Sequence, residues 1–521
     1  MAASRGSGGG GGGGKVVFGA AVGLTLLGLL IDSEAVGWLI VPLVLILLIT
    51  AMAMSPLRSS LLTLIFFTLT LENPAELPAN GRFKSPFYMV GALLLNHFNT
   101  TVNVKALFMS GMDILLVSLL AIALIRESAR SPIDRAGRVP TPRPLVKLAF
   151  VSLAGTVFVL FSGLLRGGEM SVSLWQMDRV MYLPLVFFLC HLGLRGPADQ
   201  IALGKVVIAA ASLRALAATI IIHTVYEPPD ANGIIQILPF ATSHHDSMLF
   251  ATGFVMLLAL AFTRAGKRAM RLVYLLLPVL ILGMISNHRR MVWVQVLLVP
   301  VALYLLTPTN PIKRKAQRIA LMVAPFIALY CLAGWNSGSG VFKPVRTLRT
   351  VVDAKSDGST LWREIENFDL IMTIRSNPLF GTGYGRPYLE VVQLPAVNYP
   401  LEMYLPHNSI LGMLSYAGGL GFLAMTMLWV MGAFFAMRAY YASTKPFDRA
   451  TAITCFGVVL VYLIQCWGDL GLGTQTGVFL IAPALACAGK LAVANGAWQD
   501  TKPTRNHQDQ PRNASRSGAV G

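Results

Sequence analysis

Charge is scarce in this chain. Of 521 residues only 13% are charged, about half the roughly 25% of an ordinary soluble domain. So thin a charged shell cannot cover a water-soluble core of this size. Acidic residues are scarcer still, 24 against 42 basic ones. Cysteine is rare as well. Cys190, Cys331, Cys455, Cys466 and Cys487 form no CxxC pair and fall within or at the ends of apolar blocks, which excludes a disulfide framework and reads as buried thiols. No internal repeat and no carboxylate cluster with metal-ligand spacing is visible. A soluble globular enzyme, a disordered chain and a fibrous protein are thereby excluded.

What the chain has instead is apolar length. Hydrophobic residues make up 55% of it, the mean hydropathy is +0.63, and the apolar residues come in blocks of bilayer spacing. Fourteen candidate spans follow: 16–31, 36–54, 59–71, 104–125, 145–165, 180–194, 206–225, 248–262, 272–286, 292–307, 319–335, 408–436, 450–468 and 476–494. Segment 87–98 reads as a re-entrant or interfacial helix. The expectation is an all-α, polytopic integral membrane protein with about 12–14 transmembrane helices. Its parts are a flexible Gly-rich tail at 1–15, helices across 16–335, one large loop at 336–406, further helices across 407–494 and a polar tail at 495–521.

The net charge of +18 could suggest nucleic acid, but its placement argues for a membrane and against a nucleic-acid partner. With the N-terminus cytoplasmic, 27 of the 42 Lys and Arg fall in inside segments and 13 in outside ones, as the positive-inside rule requires. Both termini are then cytoplasmic. The 16–31 block ends in Asp32-Ser33-Glu34 and lacks the small-residue cleavage site of a signal peptide.

Residues 336–406 break the pattern of short connections. This external segment of 71 residues holds seven basic and seven acidic side chains, and a loop so long is usually functional or disordered. Leu361, Ile365, Phe368 and Met372 recur at helical spacing until Asn377-Pro378 stops the run. The spacing predicts a helix over 360–376 lying against the outer membrane face. The run Pro378-Leu379-Phe380-Gly381-Thr382-Gly383-Tyr384-Gly385 then reads as a turn that needs glycine's backbone freedom.

Few titratable groups fall on this outer side. His407 follows a proline where the chain re-enters the membrane, with Asn408 beside it. There an imidazole can take a hydroxyl proton, or simply bond to backbone. Arg289 and Arg290 form a paired external arginine against the orientation preference, which suggests an anionic partner or a lipid head group. Arg363 and Arg375 are twelve residues apart on the predicted loop helix, about 18 Å by helix rise, too far to share one small group. Several guanidiniums at a membrane surface suit a diphosphate, since the planar fork pairs two oxygens at once. Arg214 and Asp113 lie inside apolar blocks and are candidates by that fact alone; they could equally pair structurally. His244-His245-Asp246 lacks a third spaced ligand and reads as a polar turn before a zinc site. No metal or cofactor is expected.

The run Trp362-Arg363, the segment Asn377 to Gly385, His407-Asn408-Ser409 and Gly418-Gly419-Leu420-Gly421 together resemble the O-antigen ligase and O-antigen polymerase superfamily. Those are bacterial inner-membrane glycosyltransferases with one large periplasmic loop late in the chain. Family members also carry an external arginine after a serine before a span. Arg290 takes that place here, and Arg289 stands where the serine usually is. The resemblance implies transfer of a glycan from a polyprenyl-diphosphate carrier to an acceptor hydroxyl at the periplasmic face, inverting and without a metal. His407, Arg363 and Arg290 would be catalytic, and Arg289, Arg375, Asn408 and Arg214 would help bind substrate. The acceptor, whether a lipid, another lipid-linked glycan or a protein, stays open. A polytopic transporter or flippase of lipid-linked glycans, using Arg214 and Asp113, is the competing class. It would favour repeated halves.

Overall fold

The computed structural model describes residues 11–30, 34–72, 86–99, 108–224, 242–309, 311–342, 345, 349, 358–394 and 402–499. Among these residues the chain is helical, with no strand beyond an isolated bridge between His97 and Ser110. The helices are α1 (Gly11–Leu30), α2 (Glu34–Met54), α3 (Leu57–Thr70), α4 (Pro86–Leu95), α5 (Gly111–Ser128), α6 (Pro132–Ala136), α7 (Arg143–Leu165), α8 (Met170–Gly193) and α9 (Ala198–Thr224). They continue as α10 (His244–Phe262), α11 (Lys267–Asn287), α12 (Arg290–Leu306), α13 (Pro311–Gly334), α14 (Gly358–Ser376), α15 (Ser409–Ala442), α16 (Pro446–Gly468) and α17 (Gln475–Ala494). Eight of them, α7, α9, α10, α11, α13, α15, α16 and α17, are long and apolar enough to cross a membrane.

Every apolar block read from the sequence overlaps a helix, and the differences lie at the ends. The glycine tail gives way to α1 already at Gly11, so four glycines are wound into its first turn, while residues 1–10 lie outside the described residues. The C-terminal tail is packed as far as Trp498, whose ring meets Phe435 edge-on at 5.1 Å; residues 500–521 lie outside the description. Of the connection read at 226–247, residues 226–241 lie outside the described residues and α10 already starts at His244, after the N-cap Ser243, whose N–H donates to Asp246 at 3.1 Å. Segment 87–98 forms α4, whose ten residues span only about 15 Å.

The loop helix is there, as α14, and a polar face of it packs against the protein. Leu361 and Phe368 are 45% and 42% exposed, whereas Trp362, Glu366, Asp369, Leu370 and Thr373 are buried. Polar partners hold that buried face: Asp369 accepts from the backbone N–H groups of Val391 and Val392, both at 3.0 Å, and Thr373 accepts from that of Leu389.

At the centre stands α17, buried along nearly its whole length against α3, α8, α10, α15 and α16. At the other extreme the apolar stretch of α13 is exposed throughout. The loop is fastened to this bundle through a break in α15. At Gly418 the backbone leaves the helix, with φ 60° and ψ −175°. The carbonyls of Ser415 and Tyr416 accept instead from Thr382 and Gly383 (2.9 and 2.8 Å), and the N–H groups of Gly419 and Leu420 donate to Pro378 and Leu379 (2.7 and 3.1 Å). The glycine turn therefore completes a broken membrane helix. Its far side is held too: Glu169 donates its N–H to the Gly385 carbonyl at 3.0 Å, and Gly385 donates to Gln176 Oε1 at 2.7 Å.

Space and backbone angle both demand glycine here. Gly383 has φ 85°, and a Cβ on it would lie 2.2 Å from Gly163 Cα. Left-handed backbone alone costs a side-chain-bearing residue about 1–2 kcal/mol, and the overlap adds to that. Gly383→Ala should thus lower thermal stability by at least about 2 kcal/mol in detergent-solubilised protein followed by scanning fluorimetry. Gly19→Ala, where a Cβ meets nothing within 4 Å, is the control. Equal melting temperatures for the two variants would refute the splice.

Candidate functional site

Helices α10, α11, α12, α14, α15 and α16 all bring an end or a face to the side where the loop is fastened. Between them lies a cavity of about 1200 Å³. Its mouth is polar, lined by His244, His288, Arg289, Arg290, Arg363, Asn408 and Asp469. Its lower walls are apolar: Met291, Val294 and Leu298 on α12, Phe422, Trp429 and Val430 on α15, and Phe456, Leu460 and Ile464 on α16.

The mouth is organised around one anion. Asp469 follows the last residue of α16 and is 2% exposed. Its carboxylate pairs with His244 Nδ1 and lies 4.0 Å from an Arg363 guanidinium nitrogen. His244 Nε2 sits 2.7 Å from Arg289 Nη1. Its two ring nitrogens thus face the Asp469 carboxylate on one side and the Arg289 guanidinium on the other. Burial alone would raise the Asp469 pKa; His244, then Arg363 and His407, outweigh burial and hold the carboxyl well below the usual carboxylate range.

His407 stands just behind this wall. Its Nδ1 is 3.3 Å from Glu366 Oε1, its backbone N–H donates to Glu366 Oε2 at 3.0 Å, and its ring meets Trp362 edge-on at 4.7 Å. Its carbonyl accepts from the Leu470 N–H at 2.7 Å, which ties it to the residue after Asp469. Glu366 is completely buried. A carboxylate on Nδ1 is the arrangement that orients an imidazole and supports its basicity.

Of the residues singled out from the sequence, Arg289, Arg290, Arg363 and Asn408 line the cavity, and His407 adjoins it. Both arginines of the 289–290 pair are present: Arg289 caps α12 and Arg290 opens it. Asn408 also caps α15, its Oδ1 accepting from the Leu411 N–H at 3.1 Å. The other two are placed elsewhere. Arg375 is on the exposed side of α14, its guanidinium 3.8 Å from Met372 Sδ, and does not line the cavity. Arg214 is buried in a closed cluster, bidentate to Asp246 at 2.9 and 2.7 Å and bonded to Glu72 at 2.5 Å. Its charge is used up structurally. Asp113 pairs with Ser110 and Tyr182 and not with Arg214. His244-His245-Asp246 is not a polar turn but the first turn of α10, and His244 and Asp246 face different partners, Asp469 and Arg214.

Sequence reasoning missed Asp469, Glu366 and His288. Only His288 left a trace in the backbone: it ends α11 at φ 54° without being glycine, a conformation that clusters at functional sites.

Asp469→Asn should lower stability in a pH-dependent way. A carboxyl held below its normal range stabilises the fold fully above the ordinary carboxylate pKa of about 4. That contribution is lost as pH falls through the depressed value. The difference in melting temperature between wild type and Asp469→Asn is therefore expected to be largest near neutrality and to shrink on acidification. A difference that grows toward acid would contradict this assignment.

Compared with known proteins, the chain matches no family model and no curated protein.

Proposed function

We propose that this chain is a multi-pass glycosyltransferase of the bacterial inner membrane, resembling O-antigen ligases and polymerases, with 12–14 spans and both termini cytoplasmic. It would move a glycan from a polyprenyl-diphosphate carrier to an acceptor hydroxyl at the periplasmic face, where the long loop lies. One observation carries this reading: a cationic mouth formed by Arg289, Arg290 and Arg363 opens onto an apolar slot between α12, α15 and α16. Such a site suits an amphiphile with an anionic head and a hydrocarbon tail.

The chemistry follows from that fit. The bond between the anomeric carbon and the diphosphate oxygen breaks, and negative charge grows on the leaving diphosphate. Arg290 and Arg363 would stabilise it in a partly desolvated site, where fixed charges act most strongly. The acceptor oxygen forms the new bond to the anomeric carbon, and its proton passes to His407, held by Glu366. Asp469 keeps the arginines from repelling one another and would set the height of Arg363. The transporter alternative needs available charge inside the membrane, and Arg214, locked between Glu72 and Asp246, weakens it.

Deletion and complementation, read by glycan analysis, test the proposal. Loss of the gene should leave either short chains on every lipid or complete chains stranded on the carrier; an unchanged glycan profile would refute it. Arg290→Ala and Arg363→Ala should fail to complement, and lysine should rescue poorly because it loses the bidentate fork. His407→Ala and His407→Gln should both lose activity by about a hundredfold or more, while Arg375→Ala should be mild. Full activity in His407→Gln would reduce His407 to an orienting role.

Orientation is testable separately. In a Cys331→Ser background, a cysteine at Ser339 should react with an impermeant maleimide in intact spheroplasts, whereas one at Thr309 should not. Both positions are exposed, so reversed labelling would overturn the proposed topology.

A further inference from the structure

A second cluster lies away from the cavity. His97 follows α4, Asp113 sits in the first turn of α5, and Asp178 lies two turns into α8. One ligand atom from each falls within 4.8 Å of the other two, and His97 Nε2 is 3.5 Å from Asp178 Oδ2. We propose that His97, Asp113 and Asp178 form a binding site for a first-row divalent cation that clamps α8 to the α4–α5 connection.

Charge is the first argument. Asp178 and His97 are buried, and Asp113 is half-buried. Two carboxylates facing each other at low dielectric require compensation. A doubly charged cation, two carboxylates and one neutral imidazole sum to zero, which is the balance such a place favours.

Geometry is the second. Nitrogen and oxygen ligands held at about 2.1 Å by one ion lie at most about 4.2 Å apart, so the three atoms close on a cation with side-chain movements under about an ångström. Outer partners already aim the ligands. Tyr182 donates its hydroxyl to Asp113 Oδ1 at 2.6 Å, and the Ser110 N–H and hydroxyl donate to Asp113 Oδ2 at 2.6 and 2.8 Å. The His97 ring lies 4.4 Å from that of Phe108. Such outer contacts orient metal ligands and tune their affinity.

Donor type narrows the ion. One imidazole with two carboxylates and no thiolate favours Zn²⁺ or Mn²⁺ over the all-oxygen cations Ca²⁺ and Mg²⁺. The consequence reaches the loop, because Asp178 is one half-turn beyond Gln176. That side chain holds the Gly385 N–H at 2.7 Å and donates to the Tyr404 carbonyl at 2.6 Å. A cation here would fix the height of α8 and, through it, the far edge of the glycine turn.

The test uses the full chain in detergent, stripped with EDTA and titrated with Mn²⁺ under electron paramagnetic resonance. One Mn²⁺ per chain is expected, with a ¹⁴N coupling from the imidazole, displaced by Zn²⁺. His97→Gln should abolish that coupling, and Asp178→Asn should weaken binding by at least about tenfold. Should His97→Gln fail to reach the membrane, Asp178→Glu keeps the charge and must still weaken binding. A wild-type chain that takes up no stoichiometric Mn²⁺, a coupling that survives His97→Gln, or unchanged affinity in Asp178→Glu would each overturn the proposal. None of these readouts depends on transferase activity.

Discussion

Inside a membrane protein a backbone N–H or C=O without a partner costs several kcal/mol, and the architecture here turns on how one such debt is settled. Helix α15 breaks at Gly418, and a break in mid-helix strands donors and acceptors on both sides of it. The turn from Pro378 to Gly383 supplies their partners. Only residues without a Cβ can approach so closely, which is why Gly381, Gly383 and Gly418 all carry positive φ. The loop is thus part of the bundle at the level of hydrogen bonding. From that attachment hang α14, the placement of Arg363 and, at the loop's end, His407 and Asn408 at the head of α15.

Charge follows the same logic of settled accounts on two scales. Deep in the helices, Arg214 has two carboxylates to itself. At the cavity mouth one buried carboxylate, Asp469, serves His244 and Arg363 together, and Glu366 serves His407. Arg289, Arg290 and Arg363 line the mouth together, Arg363 beside Asp469 and Arg289 against His244. A positive mouth over an apolar slot is the physical basis of the proposed preference for an anionic amphiphile.

The fold was legible from the sequence because apolar block length is a strong signal, and each block overlaps a helix. The loop helix and the glycine turn were legible for the same reason, one from spacing and the other from composition. Arg289, Arg290, Arg363 and Asn408 could be singled out because ionisable residues between the apolar blocks were few, and they line one cavity, with His407 beside it. Asp469 and Glu366 were not legible. Each is an ordinary acid in its own segment, and its meaning comes from a neighbour contributed by a distant helix, His244 for one and His407 for the other. Arg214 misled in the opposite sense, because a charge within an apolar block announces a need for partners without saying whether substrate or protein supplies them. The stripe Leu361–Phe368 likewise indicated a helix correctly, but not its opposite polar face, where the backbone N–H groups of Leu389, Val391 and Val392 donate to Thr373 and Asp369. The trio His97, Asp113 and Asp178 has no spacing to find; only the packing of α5 against α8 brings it together.

The apolar slot below the arginines has an open flank. Beyond its lining residues, the Tyr441 hydroxyl donates to the Leu306 carbonyl at 2.6 Å, drawing together the ends of α15 and α12. Along the side, Leu298, Val430 and Trp467 line the cavity and yet are 48%, 57% and 59% exposed. The slot is therefore open sideways, on the face where these apolar side chains are exposed. An apolar chain entering it from a bilayer would trade lipid neighbours for protein ones without passing through water, so hydrophobic transfer would contribute almost nothing to its residence. Under the function proposed above, discrimination among lipids would then rest on the head group, and lipid exchange would be diffusion in two dimensions.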